Sequence, residues 1–119
     1  MKEFHLGDIL SIITDKMLSP RHLEGIHDIL NYMTGDDLST HQIPRAMHEC
    51  KPYLLEQYPK LKDVNIHDLG KENWKEWLDK QIKLYGEMLP VKPIPKDAHQ
   101  VIDPIIEAKL MRQEVKETH

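Results

Sequence analysis

The chain is short of the residues that staple a fold, span a membrane or activate a substrate. Its single cysteine, Cys50, excludes an internal disulfide and a zinc site built of thiolates alone, and it fits a reducing compartment. No apolar run approaches the roughly 18–20 residues that cross a bilayer, and the opening Met1-Lys2-Glu3-Phe4-His5 leads into no signal-peptide core. A cytosolic chain is expected. Positive charge is not in surplus: Lys+Arg is 16 against Asp+Glu 20, a net of −4. Phosphate neutralisation needs a basic face, so a strongly basic nucleic-acid binder is disfavoured, and the acidity is too mild for a mimic of DNA. Walker, GxGxxG, HExxH and EF-hand patterns are all missing, so no cofactor and no metal is expected.

What is present reads as helical. The 119 residues allow one compact domain, and 39% of them are apolar, mostly Leu, Ile and Met with one Phe. Unbranched and γ-branched side chains lose little rotamer freedom in a helix. Leu6, Ile9, Leu10, Ile13 and Met17 recur at steps of three and four, which predicts a helix from about Leu6 to Lys16 with Ile12 off its stripe. The β-branched pair Ile12-Ile13 keeps a short strand open for residues 4–13. Ser19-Pro20 reads as a cap and first residue of a second helix whose buried face is Leu23, Ile26, Leu30 and Met33, stopped at Gly35. A third helix is expected from Pro44, kinked or divided at Pro52. Residues Val64 to Gly70 read equally as a helical turn or an irregular strand. A fourth helix is expected from Asn73, with Glu76 in capping-box register and Trp74, Trp77, Leu78, Ile82, Tyr85 and Leu89 on its apolar side. Three apart on a helix, Trp74 and Trp77 cannot both face fully inward. Pro90, Pro93 and Pro95 then enforce an extended crossing, and Asp103-Pro104 opens a last helix to about Met111. The fold class is therefore mainly α: a single-domain bundle of four to five helices over residues 1–112, with a polar, frayed tail at 113–119.

Charge is uneven along the chain. Residues 1–59 carry 5 Lys+Arg against 9 Asp+Glu, while residues 60–119 carry 11 of each. The acidic excess thus belongs to the first three helices. The densest polar constellation runs from Thr40 to Cys50. His41 and His48 are seven apart, about 10 Å along a helix, and His48 and Cys50 point to opposite sides of it, so no pair forms a zinc site without His67 or His99 from elsewhere. Cys50 falls on an apolar stripe with no oxyanion-type turn beside it, which favours a buried thiol over a Cys-His nucleophile. The second and third helices, with Thr34-Gly35-Asp36-Asp37 between them, imitate a helix-turn-helix over residues 22–51. The base readers of such a motif would be Gln42, Arg45 and Lys51, with Asp36, Asp37 and Glu49 close by to repel phosphate.

Several strings carry a likeness: Phe4-His5-Leu6-Gly7-Asp8-Ile9-Leu10-Ser11-Ile12, Leu18-Ser19-Pro20-Arg21-His22, Ile29-Leu30-Asn31-Tyr32-Met33-Thr34-Gly35-Asp36, Thr40-His41-Gln42-Ile43-Pro44-Arg45-Ala46 and Glu49-Cys50. With Pro52-Tyr53-Leu54-Leu55, Tyr85-Gly86-Glu87 and Ile102-Asp103-Pro104, the chain resembles a family of small uncharacterised bacteriophage and prophage proteins. Asp15-Lys16-Met17 departs from the glycine-containing turn of that family and leaves the end of the first helix open. The resemblance carries no activity, but it implies the cytoplasm of a bacterial host and an accessory protein that disables a host protein by stoichiometric binding. A defence nuclease or CRISPR effector is the implied class of partner, in the manner of an anti-CRISPR. The surface expected to bind is the acidic and polar rim of Asp36, Asp37, His41, Gln42, Arg45 and Glu49. A phage DNA-binding regulator is the alternative, a zinc- or Cys-dependent enzyme a third reading, and homodimer formation stays open.

Overall fold

The computed structural model describes residues 1–64, 66–67 and 69–117. Among these the order is β1 (Lys2–His5), α1 (Leu6–Thr14), α2 (Leu23–Thr34), α3 (Ile43–Gln57), α4 (Trp74–Tyr85), β2 (Met88–Val91) and α5 (Pro104–Glu117), with short 3₁₀ turns before and after α3 and before α5. The mainly helical single domain expected from composition is what forms. The stretch open between helix and strand contains both, because the chain passes from β1 straight into α1.

α1 is the axis of the molecule. His5 caps it, its Nδ1 accepting the Gly7 N–H at 2.9 Å, and the helix stops where Asp15 turns left-handed at φ 60°. Every residue from Leu6 to Ile13 is buried, so the single apolar stripe expected there gives way to a helix enclosed on all sides by α2, α3 and α4. Ile12, placed off the stripe, is fully buried, while Met17 lies beyond the helix and is 48% exposed. The polar residues of α1 are paired within the core. Ser11 Oγ donates to Gly7 O and accepts from Leu18 N, and Asp8 accepts from Ser19 Oγ at 2.5 Å. That last bond displaces the expected cap: Ser19 turns inward to Asp8, and α2 begins three residues later than Pro20 would place it, after His22.

The remaining helices follow local chemistry more closely. Gly35 ends α2 at φ 69°, as its position predicts, and Ile26, Ile29, Leu30 and Met33 are buried although Leu23 is exposed. α3 runs unbroken through Pro52. Pro52 and His48 both lie on the exposed side, so the carbonyl that loses its N–H partner faces water and the helix tolerates the ring there. In α4 the tryptophans divide as the spacing requires, Trp77 buried and Trp74 half-buried. Asn73 occupies the cap position, but its Oδ1 accepts from Gly70 N at 2.6 Å in place of a helix N–H. Within the stretch from Val64 to Gly70, Asn65 and Asp68 lie outside the described residues, and Leu69 N donates to Ile66 O at 3.1 Å in a turn.

β1 and β2 pair antiparallel, Lys2 opposite Val91 and His5 opposite Met88. Pro90 is accommodated because a two-stranded ribbon is all edge. The extended crossing that follows is tied down by Ile94 N donating to Met33 O at 3.0 Å, and by Gln57 and Lys92 exchanging side-chain and backbone hydrogen bonds. Asp103 Oδ1 caps α5 by accepting from Ile105 N at 2.8 Å. The helix continues to Glu117, past the Met111 end and into the segment read as a frayed tail, of which Thr118 and His119 lie outside the described residues. No helix among the described residues is long and apolar enough to cross a membrane.

Candidate functional site: a charged clasp holding an apolar helix

The expected rim forms between the end of α2 and the start of α3. Gly35 turns the chain so that Asp36 leaves α2 toward α3, and Ser39 with Gln42 closes a capping box over the 3₁₀ turn that leads into α3. Gln42, Arg45 and Glu49 then follow at helical steps of three and four, which aligns them on one side. Residues 99–107 lie across that side.

Five of the six expected residues converge on this segment. Gln42, fully buried, donates from Nε2 to Ile102 O at 2.9 Å, and His41 Nε2 donates to Pro104 O at 2.6 Å. Arg45 donates from Nε and Nη2 to the two oxygens of Glu107, at 2.5 and 3.4 Å, and from Nη1 to Gln100 O at 2.7 Å and Glu49 Oε2 at 3.0 Å. Glu49 also accepts from Gln100 N at 3.1 Å. Its other oxygen meets His99 Nδ1 at 2.5 Å, and His99 Nε2 meets Asp36 at 2.9 Å. Asp37 stands outside the cluster: it is exposed, and its backbone N–H donates to the Asp36 carboxylate.

The electrostatics follow from this wiring. Burial opposes a charge on His99, but its hydrogen bonds to Asp36 and Glu49 outweigh that and raise its pKa above the ordinary imidazole value. With a carboxylate at each nitrogen, the ring satisfies both contacts as a donor only in its imidazolium form, which this arrangement favours. The Arg45 hydrogen bonds hold Glu107 below the usual carboxylate range, and those same bonds, against burial, raise Arg45. The two nitrogens of His99 point at different carboxylates, so the group does not converge on one point as metal ligands do. Among the described residues no cluster of His, Cys, Asp or Glu is placed to hold a metal ion. Burial, with Glu49 nearby, pushes the Cys50 thiol up to about 12, so at neutral pH it stays a thiol and is a poor nucleophile.

Held by its polar side, α5 turns its apolar side outward. Ile105 is 67% exposed, Ile106 55% and Leu110 49%, with Val101 uncovered just before the helix. Ile106 and Leu110, four apart, lie one above the other, with Ile105 beside them. Reading from periodicity assigns an apolar stripe to the core and therefore misses this surface. The available signal is Glu107, an acidic residue placed among Ile105, Ile106 and Leu110. His99, which the sequence offers only as a distant metal ligand, is the centre of the clasp.

Residues 4–64 match a family described as a domain of unknown function (DUF7736). That span contains β1 from Phe4 onward, α1 to α3 and all six rim residues, whereas His99, Glu107 and the apolar face of α5 fall beyond it. No curated protein and no solved structure matches the chain.

Proposed function

The chain belongs to the DUF7736 family, and we propose that it works by binding another protein stoichiometrically, with α5 as the docking element and the charged clasp as its mount. The observation that carries this reading is the uncovered group Val101, Ile105, Ile106 and Leu110 on a helix fixed by its opposite face. Contiguous exposed apolar side chains on a small domain mark interaction surfaces, and an amphipathic helix of this kind suits an apolar groove on a partner. Gln42 and Arg45, the residues a helix-turn-helix would use to read bases, are turned to the segment 99–107, and the Arg45 charge is matched by Glu49 and Glu107. This arrangement favours a protein partner over DNA. The likeness to phage and prophage proteins suggests a bacterial host protein, a component of a defence system, as the class of partner.

Affinity capture from such a host tests the reading, with the tagged wild-type chain beside Ile105→Ser/Ile106→Ser and Asp37→Asn variants. A partner retained by wild type and Asp37→Asn in one-to-one amount, and lost by the double variant while its circular dichroism is unchanged, is the expected result. Equal retention by all three removes α5 from the interface. Capture of DNA with a steep salt dependence replaces the reading altogether.

A further inference from the structure

A separate cleft, lined by none of the clasp residues, opens between the loop leaving α1 and the loop entering α4. Its volume is about 460 Å³, within the range of small-molecule sites, and it is lined by Met17, Leu18, Leu69 and Trp74, with Lys16 and Lys71 among its polar residues. The wall is mainly hydrocarbon and indole. Leu18 is buried, Met17 is largely uncovered, and the Trp74 ring is half-buried with its neighbour His22 in edge contact at 6.5 Å. Among the described residues no carboxylate lines the cleft, and neither Lys16 nor Lys71 has an ion-pair partner through its ammonium. A partly uncovered apolar wall, with two lysines unmatched among the described residues and the Lys75 ammonium 5.7 Å from the centre of the Trp74 ring, is complementary to a ligand that is flat, apolar and negatively charged at one end. His22 adds a second sign of a specialised wall: its backbone sits at φ 55°, ψ −135°, a region that side-chain-bearing residues rarely occupy.

We propose that this cleft is a binding site for a small aromatic anion, its ring lying on Trp74 and Met17 and its acidic group, a carboxylate, sulfonate or phosphate, meeting Lys16 and Lys71. The site uses none of the clasp residues and none of the exposed side chains of α5, so it binds independently of the protein-docking reading. The ligand's ring contributes by displacing water from the indole and thioether surfaces, and the two ammonium groups select for charge.

Anilinonaphthalene sulfonate is a suitable probe, because it is an aromatic anion whose fluorescence rises in an apolar site. Titration of the full chain is expected to saturate at one probe per chain, with energy transfer from tryptophan. Lys16→Ala/Lys71→Ala is expected to weaken binding about tenfold, the size of two solvent-screened charge contacts, and the weakening is expected to shrink with added salt. Phenylnaphthylamine, the same rings without the sulfonate, is expected to bind the two proteins equally. Met17→Asp, a change at an exposed position, places a negative charge in the wall and is expected to abolish sulfonate binding while leaving the circular dichroism unchanged. The Ile105→Ser/Ile106→Ser variant, which removes two exposed apolar side chains of α5, is expected to bind the sulfonate as wild type does. Unsaturable binding, indifference to the lysine substitutions, or loss of binding in the α5 variant each overturns the proposal.

Discussion

Replacing His99 by alanine removes the one cationic side chain among the described residues that faces both Asp36 and Glu49. In the wild-type chain the side chain of His99 is 3% exposed, those of Glu49 and Asp36 13% and 23%, and the two contacts measure 2.5 and 2.9 Å. A hydrogen bond to a charged group is worth about 1.5–3 kcal/mol, and stranding one member of a buried ion pair costs about 3–5 kcal/mol. Glu49 keeps Arg45 and the Gln100 N–H, and Asp36 is near enough to the surface to recruit water. Both offset the loss, so about 2–3 kcal/mol of the attachment of segment 99–107 should disappear. Because α5 packs mainly on the 3₁₀ turn ahead of α3, the loss should appear as local opening, not as global unfolding. The assay is native-state hydrogen exchange at Gln100, whose N–H is bonded to Glu49, and at Glu107, whose N–H is bonded to Asp103 O. Protection there should fall about 30- to 150-fold, while the amides of α1 keep theirs. The wild-type chain should imitate the variant as pH rises. The folded pKa of His99 lies above its ordinary value of 6.5. Its contribution is therefore complete below pH 6.5 and is lost as pH climbs through the raised value. Once the intrinsic pH dependence of exchange is divided out, wild-type protection at Gln100 should decline over that range and the His99→Ala protection should not. Equal protection in the two proteins at pH 6 (a value chosen to lie below 6.5), or an identical pH dependence above it, would refute the reasoning.

Three further outcomes are expected. Glu107, whose pKa is lowered from 4.5 by its hydrogen bonds to Arg45, contributes stability that is present above 4.5 and lost as pH falls through the depressed value, so acid should release α5 in wild type but add nothing in Glu107→Gln, as read by the same amides. Gly25→Ala would set a Cβ 2.1 Å from Ser19 Oγ and 2.6 Å from Asp8 Oδ1, forcing apart the bond that joins α1 to the entry of α2; thermal or urea unfolding should report a loss of about 1–3 kcal/mol. Cys50, buried and held as a thiol, should resist a maleimide at neutral pH in the folded chain and react promptly in denaturant, and fast labelling of the native chain would contradict the burial.

The parts legible in the sequence were those whose causes lie within a few residues. Gly35 as a left-handed stop, Asp103-Pro104 as a helix start and the division of labour between Trp74 and Trp77 follow from backbone sterics and helix geometry alone. Elements set by tertiary context were harder to read. Ser19 has every local credential of a cap, yet a buried partner on α1 attracts its hydroxyl more strongly than an exposed helix end. Ile12 is buried because three helices surround α1, a fact that no periodicity within α1 encodes. The rim residues were identifiable as a polar concentration, but their employment was not, because the segment they hold lies some sixty residues further along the chain. α5 reverses the usual assumption that apolar side chains face inward, since Glu107 finds in Arg45 a partner more specific than any contact open to Ile105 or Ile106.

The pairing of β1 with β2 has a kinetic consequence. Each rung joins residues separated by more than about 80 positions, so the ribbon cannot close until most of the chain has been gathered. α1, α2 and α3 contact one another through far shorter separations and have the lower entropic barrier to assembly. Leu6 N, which opens α1, nevertheless donates to Glu87 O at 2.7 Å just beyond the ribbon. The start of the central helix is thus completed by the last long-range closure. Weakening the ribbon, by Phe4→Ala for instance, should speed unfolding far more than it slows folding.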